Sequence, residues 1–396
     1  MSRRNGWLLG AMLACVPGTA FAAPAIPAPG YKPLANTDEA GLWMQVDQTE
    51  KNLQQSPLVI HDEALNAYVK KLVCDLAGPQ CSSIRVYVVD VPQFNASCYP
   101  NGMMHVWTGL LLRTENEAQL SFVLGHELTH YLRRHSLNRY QSVRDTSTAL
   151  AFLSLGAAGV GIGTGVNLSG TMNLAQIIAV GALFSYSRDQ EREADAGGFE
   201  IAVEKGYDPR QGAMIWNHME EEQAANPRRD KPLLFYTSHP TNKERLTTMA
   251  KRADEMETQT HANNLGSDAY RAAIIPHRGE WLEEELNRGE YAESLTLIQR
   301  LIKSDPDAAQ LHYYLGETYR RRNAKGDLES AMSAYSKAIA GADAPIGAYR
   351  GLGLASLKSG KKDVARQAFQ EYLTRAPDAS DKEIVQYYLA NAGGQP

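Results

Sequence analysis

The chain has 396 residues, of which 43% are hydrophobic and 21% are charged, and its formal net charge is −5. This composition is that of an ordinary globular protein, and the length suggests two or more domains. The sequence has no basic stretch interleaved with aromatic residues, which argues against nucleic acid as a partner.

The chain begins with the features of a secretory signal peptide. A short positively charged segment precedes an apolar run, and Ala20-Phe21-Ala22 matches an A-x-A cleavage signature. We therefore expect a signal peptide at residues 1–22, and a leader with an N-terminal helix at residues 23–60. A lipid anchor on Cys15 is the less favoured alternative.

Export would expose the remaining cysteines to an oxidising compartment. Cys74 and Cys81 bracket a Gly-Pro turn, which favours a disulfide between them and leaves Cys98 as the odd thiol. Pairing of Cys81 with Cys98 remains an alternative at this point.

Regular elements follow in chain order. From Asp62, apolar residues recur at helical spacing until Gly78-Pro79, which predicts a helix. Two runs rich in β-branched and aromatic residues, at 84–91 and 102–109, predict strands with a turn between them.

The next predicted helix carries the first sign of chemistry. Thr114 and Glu117 have the spacing of a T-x-x-E capping box, which would open this helix. His126 and His130 are four residues apart and share a helix face, with Glu127 beside them. In this H-E-x-x-H pattern two histidines bind zinc and the glutamate is the general base.

A catalytic zinc site needs a third protein ligand, and the segment EREAD offers Glu191, Glu193 and Asp195. Spacing alone does not identify the ligand. Glu191 and Asp195 lie four residues apart on one face, whereas Glu193 points elsewhere. We interpret Glu191 as the ligand and Asp195 as an acceptor that orients a ligand histidine.

The segment at 146–187 contains no charged residue. Its two apolar stretches are shorter than the roughly 20 residues needed to cross a bilayer, so we expect a lid or plug rather than a membrane hairpin. The helix of EREAD should end at Gly206, and Asp208-Pro209 should open the next one.

Residues 262–396 show a repeated pattern with a period of roughly 34 residues, which is typical of tetratricopeptide repeats. The sequences YLGETY and GLGLAS occupy equivalent places in two units. We predict an all-α repeat domain that binds proteins, with an ordinary helical bundle as the alternative.

Other residues receive structural interpretations. His105 is expected to pack or face solvent, and Trp107 to lie in the core. His135 is expected to act as a cation at a helix end, where it would suit the helix dipole. The acidic run at Glu220 is expected to be a solvated helix face.

The motifs GHELTHYLRRH, ExxAD and SHPTNKER together resemble the HtpX-type zinc metallopeptidases, which include the CAAX prenyl protease. The signal peptide and the repeats resemble the exported branch of beta-barrel assembly-enhancing proteases. The resemblance implies an α+β, mainly helical, zincin-like metalloprotease domain with a small β-sheet at residues 61–258, ahead of the repeats. It implies one Zn²⁺ per chain on His126, His130 and Glu191, with Glu127 as the base.

The resemblance also assigns residues around the metal. His239 matches a position that caps the zinc at rest or contacts substrate, and Arg245 matches the arginine that accompanies it. The region containing Asn95, Ala96 and Asn101 resembles the strand along which substrate lies.

The function implied is periplasmic quality control in a Gram-negative bacterium. The chain would assist assembly of outer-membrane β-barrel proteins and degrade misassembled ones, with its repeats contacting the barrel-assembly machinery. Peripheral association with a membrane is compatible with this function. The alternative is a chaperone or adaptor whose metal site stays closed.

Overall fold

The computed structural model describes residues 26–143, 185–227, 235, 239, 243–260 and 262–392. The predicted signal peptide and nearly all of the predicted lid lie outside these residues. In the described part of the chain, no helix is both long enough and apolar enough to cross a membrane.

The N-terminal part combines helices with a small sheet. Its described helices are α1 (Asp38–Gln54), α2 (Glu63–Ala77), α3 (Thr108–Arg113), α4 (Glu117–Leu132), α5 (His135–Val143), α6 (Arg188–Glu204), α7 (Arg210–Ala225) and α8 (Lys243–Thr260). Its strands are β1 (Arg85–Val89), β2 (Ala96–Cys98) and β3 (Met103–Trp107).

The regular elements described in the C-terminal part are all helices. It contains α9 (Ser267–Asn287), α10 (Tyr291–Ser304), α11 (Ala309–Arg322), α12 (Asp327–Ala340), α13 (Gly347–Lys358), α14 (Lys362–Arg375) and α15 (Lys382–Ala392). The predicted fold class, a mainly helical α+β domain followed by an all-α repeat domain, is confirmed.

The sheet has the strand order β1-β3-β2. The central strand β3 is parallel to β1 and antiparallel to β2, with Ala96 opposite Val106. The outer side of β1 is covered by a bridge between Val59 and Val89, so β2 forms the other edge of the sheet. This edge strand packs against α4, which carries the H-E-x-x-H sequence.

Helix α2 follows the predicted pattern. The side chain of Asp62 accepts a hydrogen bond from the backbone N–H of Leu65 (2.8 Å) and caps the helix, and Gly78 ends it with a left-handed φ of +55°. Cys74 and Cys81 form a disulfide, and Cys98 is a buried free cysteine.

The predicted capping box at Thr114 is wrong. Helix α4 begins at Glu117, and its N-cap is Asn116, whose side chain accepts a hydrogen bond from the backbone N–H of Gln119 (2.9 Å). Thr114 instead follows α3, where its hydroxyl donates to the carbonyl of Leu110 (3.2 Å). The sequence pattern did not reveal the short helix α3. Thr114 is the C-cap of α3 and so cannot also be the N-cap of α4.

The repeat helices pack closely through small residues. A Cβ added at Gly316 would lie 2.6 Å from the ring of Tyr335, and one added at Gly351 would lie 2.4 Å from it. Gly316 belongs to YLGETY and Gly351 to GLGLAS, so the repeated sequences have a direct packing reason. Tyr335 is fully buried between the helices and donates a hydrogen bond to Glu317 (2.6 Å).

A buried charge network joins the N-terminal part to the first repeat helices. Arg113 of α3 forms ion pairs with Glu222 of α7 (2.7 Å) and Glu285 of α9 (2.8 Å). Arg300 of α10 also pairs with Glu222 (2.7 Å). The expectation of a solvated face at the acidic run is therefore wrong for Glu222, which is buried because α10 packs on that face of α7.

We expect Arg113→Ala to lower the free energy of unfolding by about 3 kcal/mol, because two buried carboxylates lose their shared cation and keep only their pairs with Arg300 and Arg288. Urea denaturation of the full chain, followed at its first transition, measures the change. The matched control is Arg366→Ala, which removes an exposed pair with Asp363 and should cost less than about 1 kcal/mol. Equal costs for the two variants would contradict the prediction.

Candidate metal centre

Helix α4 places three polar side chains of the H-E-x-x-H sequence in the protein interior. His126, Glu127 and His130 are all buried. The Nε2 atoms of His126 and His130 lie 3.1 Å apart, so both imidazoles point to one place, as their spacing predicts.

Helix α6 crosses α4 at a very short distance. A Cβ added at Gly198 would lie 2.8 Å from the backbone nitrogen of His126, and one added at Gly197 would lie 2.5 Å from the hydroxyl of Thr129. Only glycine leaves room for this approach. The crossing brings Glu191, in the first turn of α6, to the two histidines.

Four donor groups converge at the crossing. The Oε1 of Glu191 lies 3.6 Å from Nε2 of His130, and its Oε2 lies 3.7 Å from Nε2 of His126. The Nδ1 of His239 lies 3.1 Å from Oε1 of Glu191 and 3.2 Å from Nε2 of His126. One potential ligand atom from each of the four residues lies within 4.8 Å of the other three.

His239 is fixed by aromatic side chains. Its ring stacks on Phe235 with centroids 4.3 Å apart, and Phe235 packs in turn against Trp216 (5.3 Å). The second ring nitrogen of His239, Nε2, lies 3.5 Å from Oε1 of Glu127. Arg245 lies in the first turn of α8, and its side chain is outside the described residues.

Asp195 lies behind His126, where the sequence interpretation expected it. Its Oδ1 is 3.0 Å from Nδ1 of His126. A proton on Nδ1 makes this hydrogen bond and leaves the Nε2 lone pair of His126 directed at the centre.

Glu127 occupies a dry position beside the donor cluster. Burial raises the pKa of its carboxyl group, and the histidines His239 and His126 act in the opposite direction. A hydrogen bond from the backbone of Cys98, at the end of β2, also favours the charged form. The carboxylate of Glu127 therefore lies between the donor cluster and the edge strand of the sheet.

The sequence interpretation missed the place of His135 near the centre, and also that of Tyr186, whose ring stacks on His130. His135 begins α5 rather than closing a helix as a cation, and its Nδ1 lies 2.9 Å from Nδ1 of His130. Burial lowers the pKa of His135, which favours the neutral ring and makes the expected cation wrong. The signal in the sequence that could have revealed the place of His135 is a third histidine, five residues after the second histidine of H-E-x-x-H.

Residues predicted to bind substrate lie along or beside the edge strand. Ala96 belongs to β2, and the carbonyl of Asn95 accepts a hydrogen bond from the backbone N–H of Trp107 (3.1 Å). The side chain of Asn101 donates to Glu50 (2.9 Å) and shapes the turn before β3. All three residues are buried; Asn95 and Ala96 lie at the edge strand β2, and Asn101 lies in the turn before β3.

His105 has a structural environment, as predicted. It is buried on β3, where it contacts the hydroxyl of Tyr99 (3.3 Å) and accepts a hydrogen bond from the indole N–H of Trp107 (3.0 Å). Burial lowers the pKa of His105 to about 3. It is not among the four converging donors.

The donor set suits a transition-metal ion. Imidazole nitrogens and a carboxylate are ligands that such ions accept, and four of them face one point in the interior. Burial of so many unshared electron pairs is costly unless a cation or proton balances them. The residues present therefore fit a bound metal.

Comparison with known proteins agrees with this site. The model of peptidase family M48 matches residues 60–253, and that of the tetratricopeptide repeat matches residues 281–345 and 346–380. The chain carries a metallopeptidase domain of family M48, followed by tetratricopeptide repeats. Peptidases of this family depend on a metal, which is consistent with the buried His-His-Glu-His group of the M48 domain.

Individual relatives share 26–32% of their residues with this chain over the matched regions. Mitochondrial metalloendopeptidase OMA1 of Bos taurus is 32% identical over 203 residues, 48% of this chain and 37% of that protein. The beta-barrel assembly-enhancing protease of Yersinia pestis is 26% identical over 244 residues, 57% of this chain and 48% of that protein. The Escherichia coli protein of that name is 26% identical over 236 residues, which are 56% of this chain and 46% of that protein. The chain spans about half the length of the curated relatives it matches.

We expect His105 to destabilise the protein in acid. Because its pKa is about 3 in the folded chain and about 6.5 when unfolded, only the unfolded state takes up this proton as pH falls between those values. His105→Asn should therefore lose roughly 2 kcal/mol less stability than the wild type between about pH 7 and pH 5. Urea denaturation at the two pH values measures the difference, and parallel losses would contradict it.

Proposed function

We propose that the chain is an exported, zinc-dependent endopeptidase that promotes assembly of outer-membrane β-barrel proteins and degrades misassembled ones. The observation that carries the chemistry is the convergence of His126, His130 and Glu191 beside the buried Glu127. The cellular role is supported by relatives named beta-barrel assembly-enhancing proteases, which are 26% identical over more than half of this chain.

Zinc is the metal that we assign to the site, with one ion per chain on His126, His130 and Glu191. Two imidazoles and a carboxylate make up a known ligand set of catalytic zinc, and such a site keeps one further position open for the reaction. When bound, zinc polarises a peptide carbonyl and makes water more acidic.

The residues of the chain supply the proton transfers. Glu127 removes a proton from the attacking water and delivers it to the leaving amine, which a carboxylate at the edge of the donor cluster is placed to do. Asp195 keeps His126 in the tautomer that binds metal.

An extended peptide would bind along β2. This strand is the edge of the sheet, and its end at Cys98 contacts Glu127. Main-chain hydrogen bonds near Asn95 and Ala96 would align the peptide, with Asn101 shaping the adjoining turn. This mode favours unfolded chains or unpaired β-strands, because a folded β-protein already uses those main-chain groups.

His239 would hold the enzyme at rest. One nitrogen of its ring contacts Glu191 and His126, while the other approaches Glu127. The ring therefore fills the space in which a water molecule would be activated. We assign His239 as a gate that leaves when substrate enters, with Arg245 as its companion in the same motif.

The proposed location rests on the predicted signal peptide, and the proposed partners rest on the repeat domain. Cleavage near Ala22 would release the protein into the periplasm of a Gram-negative cell. The repeat domain at 262–396 would contact the barrel-assembly machinery or its unfolded clients, with peripheral association at the outer membrane.

A second candidate is a chaperone or adaptor whose metal site does not turn over. The position of the His239 ring favours it, since a ring in that space excludes the reacting water. The two candidates differ in whether the protein ever cleaves a peptide bond.

We expect Glu127→Gln to abolish cleavage of an unfolded, fluorescently labelled casein while zinc remains bound, because the amide cannot accept the proton of water. Loss of at least about a thousandfold in kcat/KM is expected for removal of such a base. Release of fluorescent peptides measures activity, and metal analysis of the purified protein measures zinc.

The matched control is Glu200→Gln, an exposed glutamate of α6 that pairs with Arg252, and it should cleave like the wild type. Cleavage that persists in Glu127→Gln would exclude the proposed base. A wild-type protein that holds zinc but never cleaves would favour the adaptor.

We expect His239→Ala to raise the cleavage rate several-fold, because the space beside Glu127 opens. The same casein assay measures the rate, with zinc content determined in parallel. The control is His277→Ala, which removes a histidine that also stacks on an aromatic ring, Trp281, in α9. A zinc-loaded His239→Ala variant with unchanged or reduced cleavage would contradict gating.

A further inference from the structure

His135 lies outside the H-E-x-x-H sequence, yet it contacts the second histidine of that sequence directly. The two Nδ1 atoms of His130 and His135 are 2.9 Å apart. The other nitrogen of His135, Nε2, lies 3.2 Å from Oε2 of Glu193 on α6. His135 is 2% exposed, so water does not compete for its contact with His130, whereas the Glu193 side chain reaches solvent.

The backbone is bent to make this contact. On a continuous helix, residues five apart point in directions about 140° different, so His130 and His135 would not meet. Here α4 ends at Leu132, and Arg134 has a left-handed φ of +56°, which turns the chain before α5 begins. Few non-glycine residues adopt this conformation.

Both the side chain and the backbone of Arg134 are held by contacts. The side chain of Arg134 forms an ion pair with Glu39, and its guanidinium lies 5.3 Å from the ring centroid of Tyr31. The backbone N–H of Arg134 donates to the carbonyl of Tyr131 (3.0 Å). The N-terminal segment thus anchors the turn that places His135 behind His130.

The protonation of the three groups is then set by chemistry. To bind a metal through Nε2, His130 must carry its proton on Nδ1. The Nδ1–H of His130 then donates a hydrogen bond to Nδ1 of His135. Because Nδ1 of His135 is the acceptor, His135 carries its own proton on Nε2. That N–H faces the carboxylate of Glu193, which completes one consistent chain of donors and acceptors.

We propose that His135 is a positioning residue, which holds His130 in the tautomer and orientation that bind the metal, with Glu193 as the outer acceptor. This inference rests on the proposed zinc site. It gives the two ligand histidines different supports, an aspartate behind His126 and a second imidazole behind His130. Tyr186 holds the same ring from its face, with centroids 3.7 Å apart and nearly parallel planes.

The test compares zinc affinity in full-length variants, measured by competition with a chromophoric chelator. His135→Ala should raise the dissociation constant about 10–100-fold, the usual effect of losing such a partner. His135→Asn should recover most of the affinity, because its carboxamide oxygen can accept from His130. The matched control is His105→Ala, which removes an equally buried histidine without a contact to the donors, and its affinity should equal that of the wild type.

A second measurement does not depend on metal. Nitrogen-15 NMR of the metal-free protein, labelled at histidine, should show a slowly exchanging proton on Nδ1 of His130. This signal should disappear in His135→Ala and persist in His105→Ala.

The outcomes are separable. Wild-type affinity in His135→Ala, or an equal loss in His105→Ala, overturns the positioning role. Absence of the protected proton in the metal-free wild type overturns it as well. A wild-type protein that binds no zinc overturns the proposed function, and the positioning role falls with it.

Discussion

The close crossing of α4 and α6 is the constraint on which the metal centre depends. Two helices normally stand 8–10 Å apart, and roughly that distance would leave Glu191 short of the histidines. Gly197 and Gly198 remove the side chains that would enforce it, and Gly198 meets the backbone of His126 itself. The crossing point is thus next to the ligand residues. A rigid crossing also fixes Asp195, which projects from α6 onto the outer nitrogen of His126.

The polar groups at this crossing are organised in layers from the centre outward. Asp195 contacts one ligand histidine, and His135 contacts the other. Behind His135 comes Glu193, which also pairs with Arg133 (3.1 Å). Each of the two ligand histidines therefore meets a partner farther from the centre, and on the His130 side the last group, Glu193, reaches solvent. This arrangement lets a dry interior hold several ionisable groups without large losses of stability.

The sequence predicted the residues of the centre better than the boundaries around it. Fixed helical spacing sufficed for His126 and His130, and the family resemblance, confirmed by the M48 match, extended to the domain order. The capping box at Thr114 failed because a local pattern cannot reveal that α3 ends there. His135 was misassigned for a related reason, since the left-handed turn at Arg134 depends on contacts with a distant segment.

Helix α7 connects the metal centre to the repeats. On one side, Trp216 lies 5.8 Å from the ring of His126 and packs on the phenylalanine that stacks with His239. On another, Glu222 joins the buried charge network with Arg113 and Arg300. Buried ion pairs tolerate little displacement, because separating the charges exposes each to an apolar interior. The first repeat helices and the aromatic side chains beside His239 therefore pack against the same helix, α7. Helix α9 also packs directly on α4, the helix of the ligand histidines, so the repeats contact the centre through α9 as well as through α7.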